Sequence, residues 1–174
     1  MILALYPFVV YFGLQTLSPA TLACILLIVV IARVGFSAAR QSVPPWLVWA
    51  PVGSIPVLLV SLLADTATGI KLYPIAINTM LLVVFSLSLV KPPTIIESLA
   101  KLQKPDLPPS GVRYTRNVTG VWCVFFIING LISGYTALYC DIQSWMLYNG
   151  FIAYVAMGAL FGLEFLFRKC VVKV

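Results

Sequence analysis

Few side chains in this sequence of 174 residues could do chemistry. It contains no histidine and only five carboxylates, so the commonest general base and metal ligand is missing. Glu164 is the only acid inside an otherwise apolar stretch, and such an acid is a functional candidate by default. Arg168 follows it by four residues, which is the spacing of an ion pair on one helix. A proton-coupled site and an interfacial ion pair both remain open for Glu164.

Three asparagines, Asn78, Asn129 and Asn149, also interrupt apolar stretches. If these stretches cross a membrane, an unpaired amide would be costly there, so each asparagine should face the inside of a helix bundle. Counted from the stretch ends, all three fall in the same half of a bilayer. They could form one polar pocket, or each could bond a neighbouring helix as structural glue.

Two arginines flank a tyrosine just ahead of an apolar stretch, at Arg113, Tyr114 and Arg116. Guanidinium groups beside a phenol could bind a phosphate or a carboxylate. The alternative is an ordinary cationic and aromatic anchor at the membrane interface. The tryptophans near stretch ends are typical of the same interfacial belt: Trp46, Trp49, Trp122 and Trp145.

Catalytic and metal-binding motifs are missing from the sequence. The four cysteines lack the C-x-x-C spacing of metal and redox sites and are typical of small packing residues. We expect no catalytic residue, no cofactor and no metal. We also expect no nucleic-acid partner, because the net charge of +6 comes from basic residues at the ends of apolar stretches. A lipid-modifying enzyme is therefore the least favoured function class.

The elements that must position these residues are membrane helices. Apolar residues make up 61% of the chain and charged residues 9%, against about 25% charged in a soluble domain. Since a span needs roughly 20 apolar residues, the uncharged runs predict an all-α membrane bundle with about six segments in a single domain, 1–174. Leu17-Ser18-Pro19 breaks the first run, because Ser caps helices and Pro starts them, and leaves a short first segment. The predicted segments are about 2–16, 19–34, 45–64, 72–90, 117–139 and 143–167.

Ten of the eleven Lys and Arg residues fall in alternate gaps between the apolar runs. This is the positive-inside pattern of a multi-pass membrane protein. It predicts that the 33–40 loop, the 91–116 loop and both termini are cytoplasmic. The 65–71 and 140–144 loops, which together carry Asp65, Lys71 and Asp141, are predicted to face outward. We predict a location in the cell inner (plasma) membrane.

The 91–116 loop carries a helix signal. Thr94 and Glu97 match a capping box, and apolar side chains recur on one face of the residues that follow. The pattern predicts a short amphipathic helix at about 95–103 on the cytoplasmic membrane surface. This helix could dock a partner or a lipid, or it could simply float in the interface between spans.

Two G-x-x-x-G motifs lie in the last two predicted spans, at Gly130 and Gly134 and at Gly158 and Gly162. Such spacing lets helix backbones approach closely. Because a short loop joins these spans, we expect the two glycine faces to pack against each other within one molecule. Association of two copies through these faces is the alternative.

Several short segments occur in a recognisable order: Leu5–Phe12, Lys91–Glu97, Leu107–Pro108, Trp122–Ile132 and Trp145–Asn149. Over most of the chain this order resembles the bacterial intracellular septation protein A family, whose members are small inner-membrane proteins implicated in envelope integrity and division.

A closer similarity is carried by Tyr114–Thr119, Trp122 and Asn149–Gly150. These residues resemble a related, uncharacterised family of bacterial inner-membrane proteins, whose genes often lie beside acyl-chain and aryl-polyene-type biosynthesis genes. The resemblance implies a role in the cell envelope and supplies no catalytic residue.

We therefore expect a non-enzymatic accessory or scaffold protein in cell-envelope or acyl-chain biogenesis. It would contact the lipid bilayer, and it would meet biosynthesis proteins through the 91–116 loop. The alternative is a small transporter or flippase whose site is Glu164 or the three asparagines.

Overall fold

The computed structural model describes residues 6–39, 52 and 54–168, and the regular elements in this part of the chain are all helical. A π-helical turn, Tyr148–Ile152, joins the helices Ile142–Leu147 and Ala153–Phe167 into one continuous helix. In chain order the helices are Tyr6–Thr16 (α1), Pro19–Ala39 (α2), Ile55–Ala64 (α3), Ala67–Lys71 (α4), Tyr73–Val90 (α5), Ile95–Gln103 (α6), Pro109–Tyr139 (α7), Ile142–Leu147 (α8) and Ala153–Phe167 (α9).

In the described part of the chain, four helices are long and apolar enough to cross a membrane, which confirms the prediction of a membrane-embedded helical protein. Their apolar spans are Pro19–Phe36, Tyr73–Val90, Pro109–Tyr139 and Ile142–Phe167. The remaining two predicted segments are shorter in the described chain. α1 has 11 residues and α3 has 10, and most of the first half of the predicted 45–64 segment lies outside the described residues.

The first apolar run divides at residues 17 and 18, where the sequence places the break. Ser18 Oγ accepts a hydrogen bond from the Thr21 N–H (3.2 Å), as an N-cap does. Asp65 Oδ1 accepts from the Ala20 N–H (2.8 Å). Asp65 ends α3 in the left-handed conformation, with φ 46°. One carboxylate thus ties the end of α3 to the beginning of α2.

α5 and α7 form the central antiparallel pair. Asn78 in α5 contacts Asn129, whereas Ser86, two turns later, contacts Cys123, earlier in α7. α7 begins at Pro109, eight residues before the predicted start of the span, because Pro is favoured at the first position of a helix. At 1.5 Å per residue its 31 residues extend about 46 Å, beyond a hydrocarbon core of about 30 Å.

α4 folds back against α3 at a glycine. A Cβ on Gly69 would lie 2.5 Å from the Val57 carbonyl oxygen, so no larger residue fits without moving backbone. Above this contact, Tyr6 of α1 donates a hydrogen bond to the Ile70 carbonyl (2.7 Å) and its ring stacks on Tyr73. The short helices α1, α3 and α4 therefore pack together at the end of the bundle where α5 begins.

The two G-x-x-x-G motifs do not pack against each other, so that expectation is wrong. The glycines of α7 face α5: a Cβ on Gly130 would lie 3.3 Å from Asn78 Cβ, and one on Gly134 would lie 3.4 Å from Ile75. In α9, Gly158 and Gly162 have nothing within 4 Å of an added Cβ among the described residues. The close approach that these motifs allow is used once, between α5 and α7.

Candidate functional site

Asn78, Asn129 and Tyr148 join three helices through side-chain hydrogen bonds. Asn129 Nδ2 donates to Asn78 Oδ1 over 3.0 Å, and the Tyr148 hydroxyl donates to Asn129 Oδ1 over 2.9 Å. Asn78 Nδ2 donates to the Pro74 carbonyl of its own helix (2.8 Å). Both asparagines are buried. The chain of bonds connects α5, α7 and the π turn.

Asn149, the third asparagine of the predicted pocket, takes separate partners. Its Nδ2 donates to Thr136 Oγ1 (3.3 Å) and to the Trp145 carbonyl (3.0 Å). Thr136 is seven residues beyond Asn129 on α7, which is roughly 10 Å along the helix axis. The structure therefore brings Asn78 and Asn129 into direct contact, whereas Asn149 bonds α7 about two helical turns further along its axis.

The π turn explains why two consecutive residues both reach α7. Its i→i+5 bonds make it wider than an α turn, and Tyr148 and Asn149 both bond side chains of α7. Gly150 keeps this turn close to α1, because a Cβ there would lie 3.2 Å from the Phe8 ring. Tyr148 is a member of the interhelical network that the sequence interpretation missed.

These polar side chains are suited to holding helices together. Amides and hydroxyls do not ionise near neutral pH, so the network offers no titrating group for proton transfer. Ser133 lies between the two contacts on α7, and its Oγ is buried without a hydrogen-bond partner among the described residues. Apart from that atom, the donors and acceptors described above are matched within the protein.

A second cluster joins two candidates that the sequence treats separately. The Tyr114 hydroxyl in α7 donates to Glu164 Oε1 in α9 over 3.1 Å. Arg168 Nε lies 3.8 Å from the same oxygen, at the predicted i,i+4 spacing. The Phe167 ring stacks on Tyr114 with centroids 6.2 Å apart. Glu164 is therefore bridged between two helices, and its second oxygen, Oε2, has no partner among the described residues.

The predicted anion site of Arg113, Tyr114 and Arg116 is not assembled. Arg116 Nη1 donates instead to the Leu89 carbonyl at the end of α5 (2.8 Å), where a cation satisfies an open carbonyl of the helix terminus. Arg113 is exposed, while Tyr114 is bonded to Glu164. Tyr114 is one residue from Arg113 and two from Arg116, and side chains at these spacings on a helix do not face each other.

A groove lies beside the Glu164 cluster, between α6, α7 and α9, and encloses about 160 Å³. We call it the α6 groove. Its aromatic floor is formed by Trp122 and Phe161, whose rings are 4.5 Å apart. The residues that line it are Ile96, Leu99 and Ala100 of α6, Val118 and Trp122 of α7, and Phe161, Glu164 and Arg168 of the last helix.

Two tryptophans predicted to lie in an interfacial belt are buried instead. Trp122 is 4% exposed and packs under the α6 groove, and Trp145 is fully buried. The Trp145 indole donates to the Lys71 carbonyl (3.0 Å), which satisfies its N–H away from water. Trp46 and Trp49 lie outside the described residues.

α6 is anchored at its N-terminal end. Thr94 Oγ1 accepts from the Glu97 N–H (3.2 Å), and Glu97 Oε2 accepts from the Thr94 N–H (3.4 Å), which is the predicted capping box. Ser88 Oγ of α5 accepts from the Ile95 N–H (3.2 Å). Lys101 pairs with Glu97 at 2.6 Å. The helix spans Ile95–Gln103 as expected and its first turn is fixed to the bundle.

The far end of α6 is uncovered. Leu99 is 39% exposed and Leu102 is 77% exposed. Lys101 and Lys104 are also exposed. The apolar face that the sequence predicts is thus buried in its first turn and open in its last, next to two cationic side chains.

The opposite end of the bundle carries a different set of charges. The Lys71 ammonium donates to the Cys140 carbonyl (3.2 Å). Asp141 caps α8, since its Oδ1 accepts from the Ser144 N–H (3.0 Å). A hydrogen bond from the Ser144 side chain, and after it the one from the Ser144 N–H, lowers the pKa of the Asp141 carboxyl. The cap is therefore present while Asp141 is ionised and is lost as the pH falls through that lowered pKa.

Comparison of the sequence with protein-family models, with curated proteins and with solved structures gives no match.

Proposed function

We propose that the protein is a non-enzymatic accessory component of cell-envelope or acyl-chain biogenesis in the bacterial inner membrane, and that it holds a partner protein on the exposed end of α6. In this proposal the chain crosses the membrane in about six segments, with both termini and α6 in the cytoplasm. The observation that carries the proposal is the contrast along α6 between a fixed first turn and an open last turn.

The anchoring of α6 favours docking over a helix that floats between spans. Ordering a flexible segment on binding costs conformational entropy. α6 is already ordered without a partner, because Thr94, Glu97 and Ser88 hold its N-terminus. Binding to it would therefore cost less conformational entropy. A rigid helix end that presents leucine beside lysine suits an apolar partner surface with acidic residues at its edge.

The polar network supports an accessory role over transport. A transport site needs polar groups that are free to exchange protein partners for a ligand. Asn78 and Asn129 bond each other, Tyr148 completes the chain, and Asn149 bonds Thr136. Moving a ligand through this layer would require breaking several interhelical bonds at once.

The proposal is tested by placing a photo-crosslinking amino acid at position 102 in living cells. The matched control carries it at Leu131, which is 70% exposed on the membrane-spanning part of α7. We expect discrete protein adducts at position 102 and none at position 131. Mass spectrometry should identify the adducts as envelope or acyl-chain biosynthesis proteins.

A second pair of variants links those adducts to the anchored helix. Thr94→Ala removes the cap, which typically costs about 1 kcal/mol, and should reduce the adduct yield at position 102. Thr94→Ser keeps the capping hydroxyl and should preserve the yield. The proposal fails if position 102 gives no discrete protein adduct, or if its adducts match those at position 131.

A further inference from the structure

The α6 groove combines an apolar floor with one acid and one base at its rim. Trp122 and Phe161 form the floor, and α6 covers one side. Glu164 and Arg168 stand at the rim, with 3.8 Å between Arg168 Nε and Glu164 Oε1. The groove therefore has opposite charges next to each other and is neutral overall.

Both charged groups retain unused hydrogen-bonding capacity. Glu164 Oε1 takes both the Tyr114 hydroxyl and the Arg168 contact, which leaves Oε2 without a partner among the described residues. A guanidinium has five N–H donors, and at 3.8 Å its contact with Glu164 is longer than a hydrogen bond. Both residues line the α6 groove, so one acceptor and several donors belong to side chains of its lining.

We propose that the α6 groove is a binding site for a phosphoethanolamine lipid, with the ammonium on Glu164, the phosphate on Arg168 and the first part of one acyl chain over Trp122 and Phe161. The α6 groove shares Leu99 with the exposed end of α6 but does not include Leu102, and the inference holds whether or not Leu102 contacts a partner protein.

Charge complementarity selects this headgroup. A purely anionic lipid would place its phosphate on Arg168 but would also face the Glu164 carboxylate, which repels it. Phosphocholine carries a cation, but its quaternary nitrogen has no N–H to donate to Oε2. Phosphoethanolamine carries a phosphate that suits a guanidinium and an ammonium with three N–H donors, as in a lysine side chain.

The size of the groove fits part of one chain. A cavity of about 150 Å³ lined by apolar side chains holds a ring of six carbons, and this groove encloses about 160 Å³. It can take roughly the first six carbons of an acyl chain, and the remainder would lie along the exposed surface of α9, where Phe165 is 52% exposed. A charged rim above an apolar floor is the order in which a membrane lipid presents its head and its chain.

The test is native mass spectrometry of the purified full-length protein, titrated separately with phosphatidylethanolamine, phosphatidylglycerol and phosphatidylcholine that carry identical acyl chains. For the first lipid bound, we expect phosphatidylethanolamine to bind about tenfold or more tightly than either competitor, the effect of one charge-assisted hydrogen bond. Equal affinity for the three lipids, or tighter binding of phosphatidylglycerol or phosphatidylcholine, would overturn the proposal.

Variants separate the roles of the two charges. Glu164→Gln still accepts the Tyr114 hydroxyl, so it should fold, lose the preference for phosphatidylethanolamine and bind phosphatidylglycerol more tightly. Arg168→Gln should weaken binding of all three phosphate-bearing lipids. The control Glu97→Gln changes a carboxylate that is already paired with Lys101, and glutamine preserves the capping box. An unchanged preference in Glu164→Gln, or the same loss in Glu97→Gln, would refute the assignment.

Discussion

Asn129 occupies the junction of three helices. Its amide nitrogen bonds Asn78 in α5, and its amide oxygen accepts the hydroxyl of Tyr148 at the π turn. An amide has both a donor and an acceptor, so one side chain can serve two unlike partners. Asp could not replace it, because a carboxylate has no N–H for Asn78 Oδ1. Ser has a donor and an acceptor, but its hydroxyl is one bond closer to the backbone than the amide atoms of Asn129.

Replacing Asn129 with alanine should destabilise the folded protein by about 1–2 kcal/mol. The substitution leaves Asn78 Oδ1 and the Tyr148 hydroxyl without this partner, and hydrogen bonds between membrane helices are worth about 0.6 to 1.7 kcal/mol. Unfolding in mixed micelles with increasing SDS, followed by circular dichroism, measures the change. Ile128→Ala is the matched control, because Ile128 is 53% exposed on the same helix. An equal loss in both variants would show that the network contributes nothing specific.

At the scale of helices, local signals in the sequence proved easier to interpret than contacts between distant segments. The cap of α6 depends on Thr94 and Glu97, only three residues apart, so its pattern specifies its own structure. The α6 groove depends on Trp122 and Phe161 meeting across two helices. Each of those residues reads as an apolar or interfacial side chain, and nothing in their spacing indicates which faces of α7 and α9 come together.

The glycine motifs illustrate the same limit. A G-x-x-x-G spacing predicts that a backbone can approach closely, but it does not name the partner helix. In the chain, α6 and the 104–108 segment separate α7 from α5. At Gly130 and Gly134, α7 nevertheless packs against α5 and not against the helix that follows it in sequence. Close packing at Gly158 and Gly162 would need a partner other than the described residues. Association of two copies through that face stays a prediction.

Leucine substitutions should therefore lower the free energy of unfolding at the α7 motif and leave it nearly unchanged at the α9 motif. In Gly130→Leu with Gly134→Leu, the side chains would push α5 away, and overpacking of this kind costs about 1–3 kcal/mol at each site. In Gly158→Leu with Gly162→Leu, open space around both positions should keep the change in unfolding free energy within about 0.5 kcal/mol. SDS titration compares the two double variants. Their oligomeric state, measured in the same detergent, tests association, since only the second pair would lose dimers while remaining folded. Greater destabilisation by the second pair would contradict this packing.

The two ends of the whole molecule differ in charge and in construction. The end that carries α6 is rich in Lys and Arg, including Arg116, which bonds the end of α5, and Arg168 beside the α6 groove. The other end carries Lys71, Asp65 and Asp141, each of which bonds backbone near a helix end. The charged side chains at the Lys71 end thus bond backbone groups at helix ends. At the α6 end, Lys101 and Lys104 are exposed. From the positive-inside rule we predict that the first end is cytoplasmic.

This orientation predicts opposite labelling of two engineered cysteines. In a background without the four native cysteines, Ser110→Cys lies at the start of α7 and Gln143→Cys at the start of α8, and both positions are exposed. A membrane-impermeant maleimide should label position 143 in intact spheroplasts and position 110 only in inverted membrane vesicles. The reason is that moving the basic α6 end across the membrane would oppose the bias set by its Lys and Arg residues. If position 110 reacts in spheroplasts while position 143 stays protected, α6 faces away from the cytoplasm. In that case a cytoplasmic partner could not reach Leu102. Both the predicted orientation and the proposed function would then be wrong.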